Sequence, residues 1–179
     1  MDRLFKEYIN LSQNLRNKYL IEENNKNENI KILMNIFKKD IPSFYLTVYS
    51  FINGTQKSIE NQELMDFIPG FRLIHIEELE EEISTFQNFY NTNYFPFLAD
   101  YGGCYIGFSD KEDKICYFSP ENLKKISMYE NLEKFFETII RCYEKKIFFL
   151  DEDGYLDYDY DEENLLGKIL NPNCEYWKD

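Results

Sequence analysis

The stretch Tyr94-Phe95-Pro96-Phe97-Leu98-Ala99-Asp100-Tyr101-Gly102-Gly103-Cys104-Tyr105-Ile106-Gly107-Phe108 is almost uncharged, in a chain that is 30% charged. One apolar run ends at Asp100-Tyr101-Gly102-Gly103 and a second begins at once. Burying apolar surface favours folding by roughly 25 cal/mol per Å², so a segment this apolar belongs at the centre of a sheet. The paired glycines reach positive φ with no Cβ to clash. The stretch therefore reads as two core strands joined by a tight corner. Period-two alternation puts Cys104, Ile106 and Phe108 on one face of the outgoing strand.

Downstream, Ser109 to Lys114 is a charged hairpin loop. Ile115-Cys116-Tyr117-Phe118 returns as a strand, and Ser119-Pro120-Glu121-Asn122 ends that unit. Leu132, Phe135, Phe136, Ile139, Ile140 and Tyr143 then recur at helical spacing, with Glu133, Lys134, Glu137 and Arg141 between them. This is the clearest helix in the chain, and it is expected to lie across the sheet. Ile147 to Leu150 reads as a short buried strand and Asp151-Glu152-Asp153-Gly154 as a turn. Leu156 to Asp161 alternates apolar residues with acids and reads as a strand, followed by a short helix near Glu162–Leu170.

Upstream, Leu4, Tyr8, Leu11, Leu15 and Tyr19 mark an amphipathic helix over residues 2–22. Glu23 to Asn29 is an Asn-rich loop, and Ile30 to Phe37 a short helix. Asp40-Ile41-Pro42-Ser43 breaks the chain before a helix carrying Phe44 or Tyr45, Val48, Phe51 and Ile52. That helix is expected to stop at Asn53-Gly54, where glycine takes the left-handed C′ conformation. Thr55–Ile59 and Phe71–His75 read as short strands separated by the Pro69-Gly70 turn. Ile76, Leu79, Ile83 and Phe86 form a helical stripe. Glu77, Glu78, Glu80, Glu81 and Glu82 fill the opposite face, expected to be solvated. The order of elements predicts an α+β fold with a largely antiparallel, or mixed, central sheet flanked by helices.

With 179 residues, 44% of them hydrophobic and 18% aromatic, the chain is long and apolar enough for one folded domain, 1–179, despite a net charge of −13. Its longest apolar runs are too short for a membrane span, and the N-terminus lacks an apolar h-region, so a cytoplasmic protein is expected. Cys104, Cys116, Cys142 and Cys174 form no C-x-x-C pair. The single histidine, His75, lies between Ile74 and Ile76 in an apolar segment, so neither a zinc site nor a histidine-based nucleophile is expected. No phosphate-binding glycine loop follows a strand. Asp157, Asp159 and Asp161 match the first three ligand positions of an EF-hand loop. Glu162, however, stands where its glycine is required and Lys168 where its bidentate glutamate is required. Nothing singles out two of the 33 acids as a glycosidase pair. No cofactor and no catalytic residue are expected.

Charge is distributed unevenly. Residues 1–40 carry eight Lys/Arg against six Asp/Glu, a balance of +2, which leaves −15 for the rest. Eight acids fall between Asp151 and Glu163 with no base among them. Such a field repels phosphate backbones and speeds encounter with a basic protein. Tyr101, Tyr155, Tyr158, Tyr160, Tyr176 and Trp177 lie beside acids, and aromatic residues dominate interface hot spots. Tyrosines that merely cover the core account for these positions equally well.

In order along the chain, several landmarks resemble the SUKH superfamily, which includes cell-wall assembly regulators and bacterial immunity proteins. Ile41-Pro42-Ser43-Phe44-Tyr45 with Phe51-Ile52-Asn53-Gly54 resembles its "LP-x-x-Y … F-L-x-x-N-G" helix, with Ile41 in place of the usual leucine. Leu73 to Leu79 resembles its strand running into an "E-E-L" helix. Phe95 to Tyr105 resembles its hallmark "P-F-A-x-D-x-G-G-x-x" strand and turn. Ile115–Phe118 and Leu132–Phe136 resemble the following strand and helix. The segment between Gly54 and Phe71 departs from the family's regular strand spacing. The likeness spans about residues 30–145. Residues 1–29 form an N-terminal helix and Asn-rich loop, and 146–179 a C-terminal extension.

The resemblance implies a non-enzymatic domain that binds and neutralises one cognate bacterial toxin, a basic nuclease being one such partner. The domain would act as a monomer or weak homodimer, without nucleic acid or membrane. The alternative is a regulatory or scaffold module of the same fold with several partners. The candidate interface is the acidic strand and its turn, Asp151, Glu152, Asp153, Asp157, Asp159 and Asp161, with Tyr158 or Tyr160 as anchors. A second candidate is the corner at Asp100 and Tyr101.

Overall fold

The Tyr94–Phe108 stretch lies inside a five-stranded antiparallel sheet in the computed structural model, which describes residues 2–19, 26–38, 40–109, 111–121 and 123–178. Strands β2 (Phe95–Ala99) and β3 (Tyr105–Ser109) pair with Ala99 opposite Tyr105. The Asp100 carboxylate closes the corner between them, its Oδ1 accepting from the N–H groups of Gly102 at 2.9 Å and Cys104 at 2.7 Å. Gly103 takes the left-handed conformation there, with φ +89°. The sheet order is β1 (Arg72–Leu73), β2, β3, β4 (Lys114–Ser119), β5 (Lys124–Tyr129).

Both faces of this sheet are covered. The helices are α1 (Asp2–Leu15), α2 (Lys26–Phe37), α3 (Ser43–Tyr49), α4 (Leu79–Tyr90), α5 (Leu132–Glu144) and α6 (Tyr160–Leu170). On one face Phe44 of α3 meets Phe97 and Phe108 edge-on at 4.9 and 5.1 Å, and Phe135 of α5 meets Phe97 at 5.3 Å. On the other, Phe86 of α4 packs on Tyr105 at 5.2 Å and Phe118 at 4.8 Å. Gly107 permits that approach, because a Cβ there would stand 3.1 Å from the Phe95 carbonyl oxygen and 3.3 Å from the Phe86 ring. Among the described residues no helix is long and apolar enough to cross a membrane.

The α+β architecture matches the pattern of the sequence, while several boundaries differ. Strand β5 falls where the sequence shows only the end of a unit. Two lysines open it and Ile126 and Ser127 are half-buried, so its alternation is weak. No strand forms over Thr55–Ile59, where only Thr55 bridges to Ile74. Of Phe71–His75 just Arg72 and Leu73 are strand, because Phe71 turns back onto Ile68 across Pro69-Gly70. Helix α2 starts at Lys26, inside the expected Asn-rich loop, and its buried Asn29 donates to the Tyr49 carbonyl at 2.9 Å and to Asn53 Oδ1 at 2.7 Å. The first helix is shorter than the expected 2–22: α1 ends at Leu15 and residues 16–19 form a turn, while the rest of the Asn-rich loop and the expected helix beyond Tyr19 lie outside the described residues.

Helix α3 ends at Tyr49, so Gly54 does not cap it. Gly54 instead has φ +84° and runs so close to β1's continuation that a Cβ would stand 2.3 Å from the Ile74 carbonyl oxygen. The acidic face of α4 is only partly solvated. Glu78 and Glu82 pair with the buried Arg72 at 2.8 and 3.3 Å, and Tyr105 donates to Glu82 at 2.7 Å.

The C-terminal region adds a second sheet, β6 (Phe148–Leu150) antiparallel to β7 (Leu156–Tyr158). The strand expected to run to Asp161 ends at Tyr158. Asp159 is the N-cap of α6, its Oδ1 accepting from the Glu162 N–H at 3.1 Å, and Asp161, Glu162 and Glu163 occupy the first turn. A capping aspartate followed by acids favours a helix start over continued alternation.

Candidate functional site

The most acidic part of the chain divides into residues that build structure and residues left at the surface. Asp151 holds the β6–β7 turn, its Oδ1 accepting from the Asp153 and Tyr155 N–H groups at 3.0 and 2.8 Å. Asp157 accepts from the Tyr158 N–H at 2.8 Å, and Asp159 caps α6. Asp100 closes the β2–β3 corner. Glu152, Asp153 and Asp161 are exposed. The nominated strand acids Asp157, Asp159 and Asp161 therefore do not share one strand face, because the strand ends at Tyr158. Of the six candidate acids, Asp151, Asp157 and Asp159 serve the turn, a strand end and a cap, and Glu152, Asp153 and Asp161 are exposed without such a role.

Tyr158 and Tyr160 do come together, and they do so in a cleft of about 270 Å³. It is lined by Lys124 and Ile126 of β5, by Tyr158, Tyr160, Glu163 and Asn164 at the end of β7 and the start of α6, and by Glu175, Tyr176 and Trp177 of the C-terminal segment. The C-terminal segment is held against β5 by backbone and side-chain hydrogen bonds. The Tyr176 N–H donates to the Ser127 carbonyl at 3.0 Å, and the Glu175 N–H to Ser127 Oγ at 3.0 Å. Asn171, fully buried, donates to Thr138 of α5 at 3.0 Å and accepts from the Glu130 N–H at 3.2 Å.

Trp177 closes the base. Its indole N–H donates to the Met128 carbonyl, and its ring lies against Gly167 of α6, where a Cβ would stand 2.3 Å from it. Tyr176 packs edge-on against Trp177 at 4.8 Å.

Glu163 is the charge in this wall. Burial alone pushes its carboxyl up to about 7, and among the described residues its side chain forms no hydrogen bond or ion pair. Burial, followed by the nearby Glu163 carboxylate, also pushes the Tyr158 and Tyr176 phenols up, Tyr176 to about 12. Lys124 and Glu175 face each other at 3.9 Å at the rim, both more than half exposed, a pair of little energetic weight.

The second candidate, the β2–β3 corner, connects to this cleft through side chains. Tyr117 of β4 donates to Cys104 Sγ at 3.1 Å, and its ring lies 5.7 Å from that of Tyr176. Tyr101 is 53% exposed at the corner and donates to the Lys57 carbonyl at 3.0 Å. Sequence reasoning pointed to Tyr158, Tyr160, Tyr176 and Trp177 by their acidic neighbours. It did not separate Glu163 from the acids around it, nor find Lys124, Ile126 and Glu175. The signals available for these were Gly167 inside a helical pattern and the only tryptophan close behind it.

Fold and cleft together define an α+β domain that presents an aromatic, acid-walled recess beside one edge of its sheet. No protein-family profile matches the chain, and no characterised protein matches it in sequence.

Proposed function

We propose that this chain is a protein-binding domain of the SUKH type, an immunity protein that neutralises one basic toxin by occupying its surface. The carrying observation is the convergence of Tyr158, Tyr160, Tyr176 and Trp177 with Glu163 in one cleft, in an acid-rich segment whose Glu152, Asp153 and Asp161 are exposed. A recess with aromatic walls suits a hot-spot anchor, and exposed charge of one sign steers a partner of the other. The net charge of −13 supports the same direction of steering. The ordered likeness of Ile41–Gly54, Leu73–Leu79 and Phe95–Tyr105 to the SUKH landmarks supports a protein-binding role, which that family's immunity proteins and regulators share. On the immunity reading the partner toxin is encoded beside this chain. Co-expression with the product of the adjacent toxin gene is expected to restore growth, and the purified proteins to form a 1:1 complex that weakens as salt rises. No rescue by any adjacent toxin, or capture of many partners with none of them encoded nearby, would sink the immunity role.

A further inference from the structure

The cleft that contains Glu163 has a chemistry more specific than general acidity. At about 270 Å³ it lies at the lower edge of the roughly 300–1,000 Å³ typical of sites for drug-sized ligands, which favours a small group. An anion is disfavoured, because Asp159 already takes the Glu162 N–H at the start of α6 and the first turn is acidic. A hard metal ion requires several oxygen ligands, and among the described residues no group of three His, Cys, Asp or Glu side chains is placed to hold one. What remains is an organic cation that can lie flat on aromatic rings and meet a carboxylate. A guanidinium does both. It is planar, weakly hydrated, stacks on tyrosine and pairs with a carboxylate through two parallel N–H bonds. The chain already uses the stacking part internally, with the Arg16 guanidinium 3.8 Å above the Tyr19 ring.

We propose that the cleft between β5, the start of α6 and the C-terminal segment receives one arginine side chain of a protein partner, its guanidinium held by Tyr158, Tyr160 and Tyr176 and its charge met by Glu163. The proposal deepens the protein-binding reading and names the group the partner must present. Glu163 has to be ionised to meet that charge, so arginine binding strengthens as pH rises through about 7. The groups facing Glu163 are Lys124 and Tyr129 of β5, Cys142 of α5, Tyr158, Tyr160, Glu175 and Tyr176. Burial pushes Tyr129, Cys142, Tyr158 and Tyr176 upward, so none of these four adds a second transition near neutrality.

The test uses the full chain and a small probe. N-acetyl-arginine amide is titrated at fixed ionic strength, with the emission of Trp177, the chain's only tryptophan, and the tyrosine ring NMR signals as readouts. N-acetyl-citrulline amide, of similar shape and neutral, is the control. The expected result is a saturable change with the arginine probe that is about tenfold tighter at pH 8 than at pH 6, and none with citrulline. Glu163→Gln removes the pH dependence and weakens binding about tenfold at pH 8. Tyr160→Ala, at a residue 64% exposed and so free of core strain, also weakens it.

No saturable response, an equal response to citrulline, or a response unchanged in Glu163→Gln would overturn the proposal. Its failure is separable from that of the immunity reading. A toxin complex whose affinity ignores Glu163→Gln and Tyr160→Ala ends the arginine cleft alone, whereas probe binding without any toxin rescue upholds the cleft and ends the immunity role.

Discussion

Glu163 sits where its charge costs stability. An ordinary glutamate titrates near 4.3, whereas burial at the start of α6 pushes this one up to about 7. Between those values the folded chain binds a proton that the unfolded chain has released. The folded state therefore loses stability as pH rises from about 4.3, and the loss is complete above about 7. Glutamine keeps the shape and cannot ionise. Glu163→Gln is accordingly expected to match the wild type in urea unfolding at pH 4 and to exceed it at pH 8 by about 1–3 kcal/mol, less than the full conversion of the shift because solvent reaches part of the side chain. Equal stability at both pH values would show that water reaches the carboxylate freely. On the proposed reading, this half-buried charge that destabilises the isolated domain is retained for binding, in contrast to Asp100, Asp151 and Asp159, whose carboxylates accept backbone N–H bonds within the fold.

Helix α6 tests whether the cleft depends on its scaffold. Replacing glycine by alanine inside a helix ordinarily stabilises it by about 1 kcal/mol. At Gly167 the sign is expected to reverse, because the new Cβ would stand 2.3 Å from the Trp177 ring. Either Trp177 moves off the Met128 carbonyl or α6 lifts from α5. Gly167→Ala should lower stability by about 1–3 kcal/mol and red-shift the tryptophan emission, and a stabilised variant with unchanged emission would refute this packing. The same elements show how far the sequence carries. Helix α5 and the β2–β3 corner are legible because their apolar spacing and paired glycines have one good solution each. Strand β5 is not, because it lies at an edge where Lys124, Lys125 and half-buried Ile126 blur its period. The alternation from Leu156 to Asp161 is misleading for a different reason: it satisfies a strand pattern while Asp159 also makes a good helix cap, and hydrogen bonding to the Glu162 N–H decides between them. The cleft was half legible. Its tyrosines carry a signature in their acidic neighbours, but Glu163 becomes distinct only when β5 and the C-terminal segment close around it, contacts between residues about 40 to 50 apart along the chain.

At the scale of the whole molecule, charge and anchor should govern different steps of binding. The rest of the chain carries −15 against +2 over residues 1–40, so its long-range field draws a basic partner toward the acid-rich portion. Glu152, Asp153 and Asp161 are exposed acids outside the turn and capping roles held by Asp151, Asp157 and Asp159. Neutralising the three together, as Glu152→Gln, Asp153→Asn and Asp161→Asn, should leave stability within about 0.5 kcal/mol. It should slow association with a basic partner by about tenfold at low salt and leave dissociation nearly unchanged, since rim charges act mainly through encounter. The difference in association rate should vanish as salt shortens the Debye length to about 3 Å at 1 M. Tyr160→Ala is expected to do the opposite, accelerating dissociation with little change in salt dependence, because an anchor acts after the surfaces have met. Stopped-flow association and dissociation measured across salt concentrations separate the two. If the triple variant instead changes dissociation and not association, these acids lie inside the contact, and they act by direct interactions rather than through a steering field.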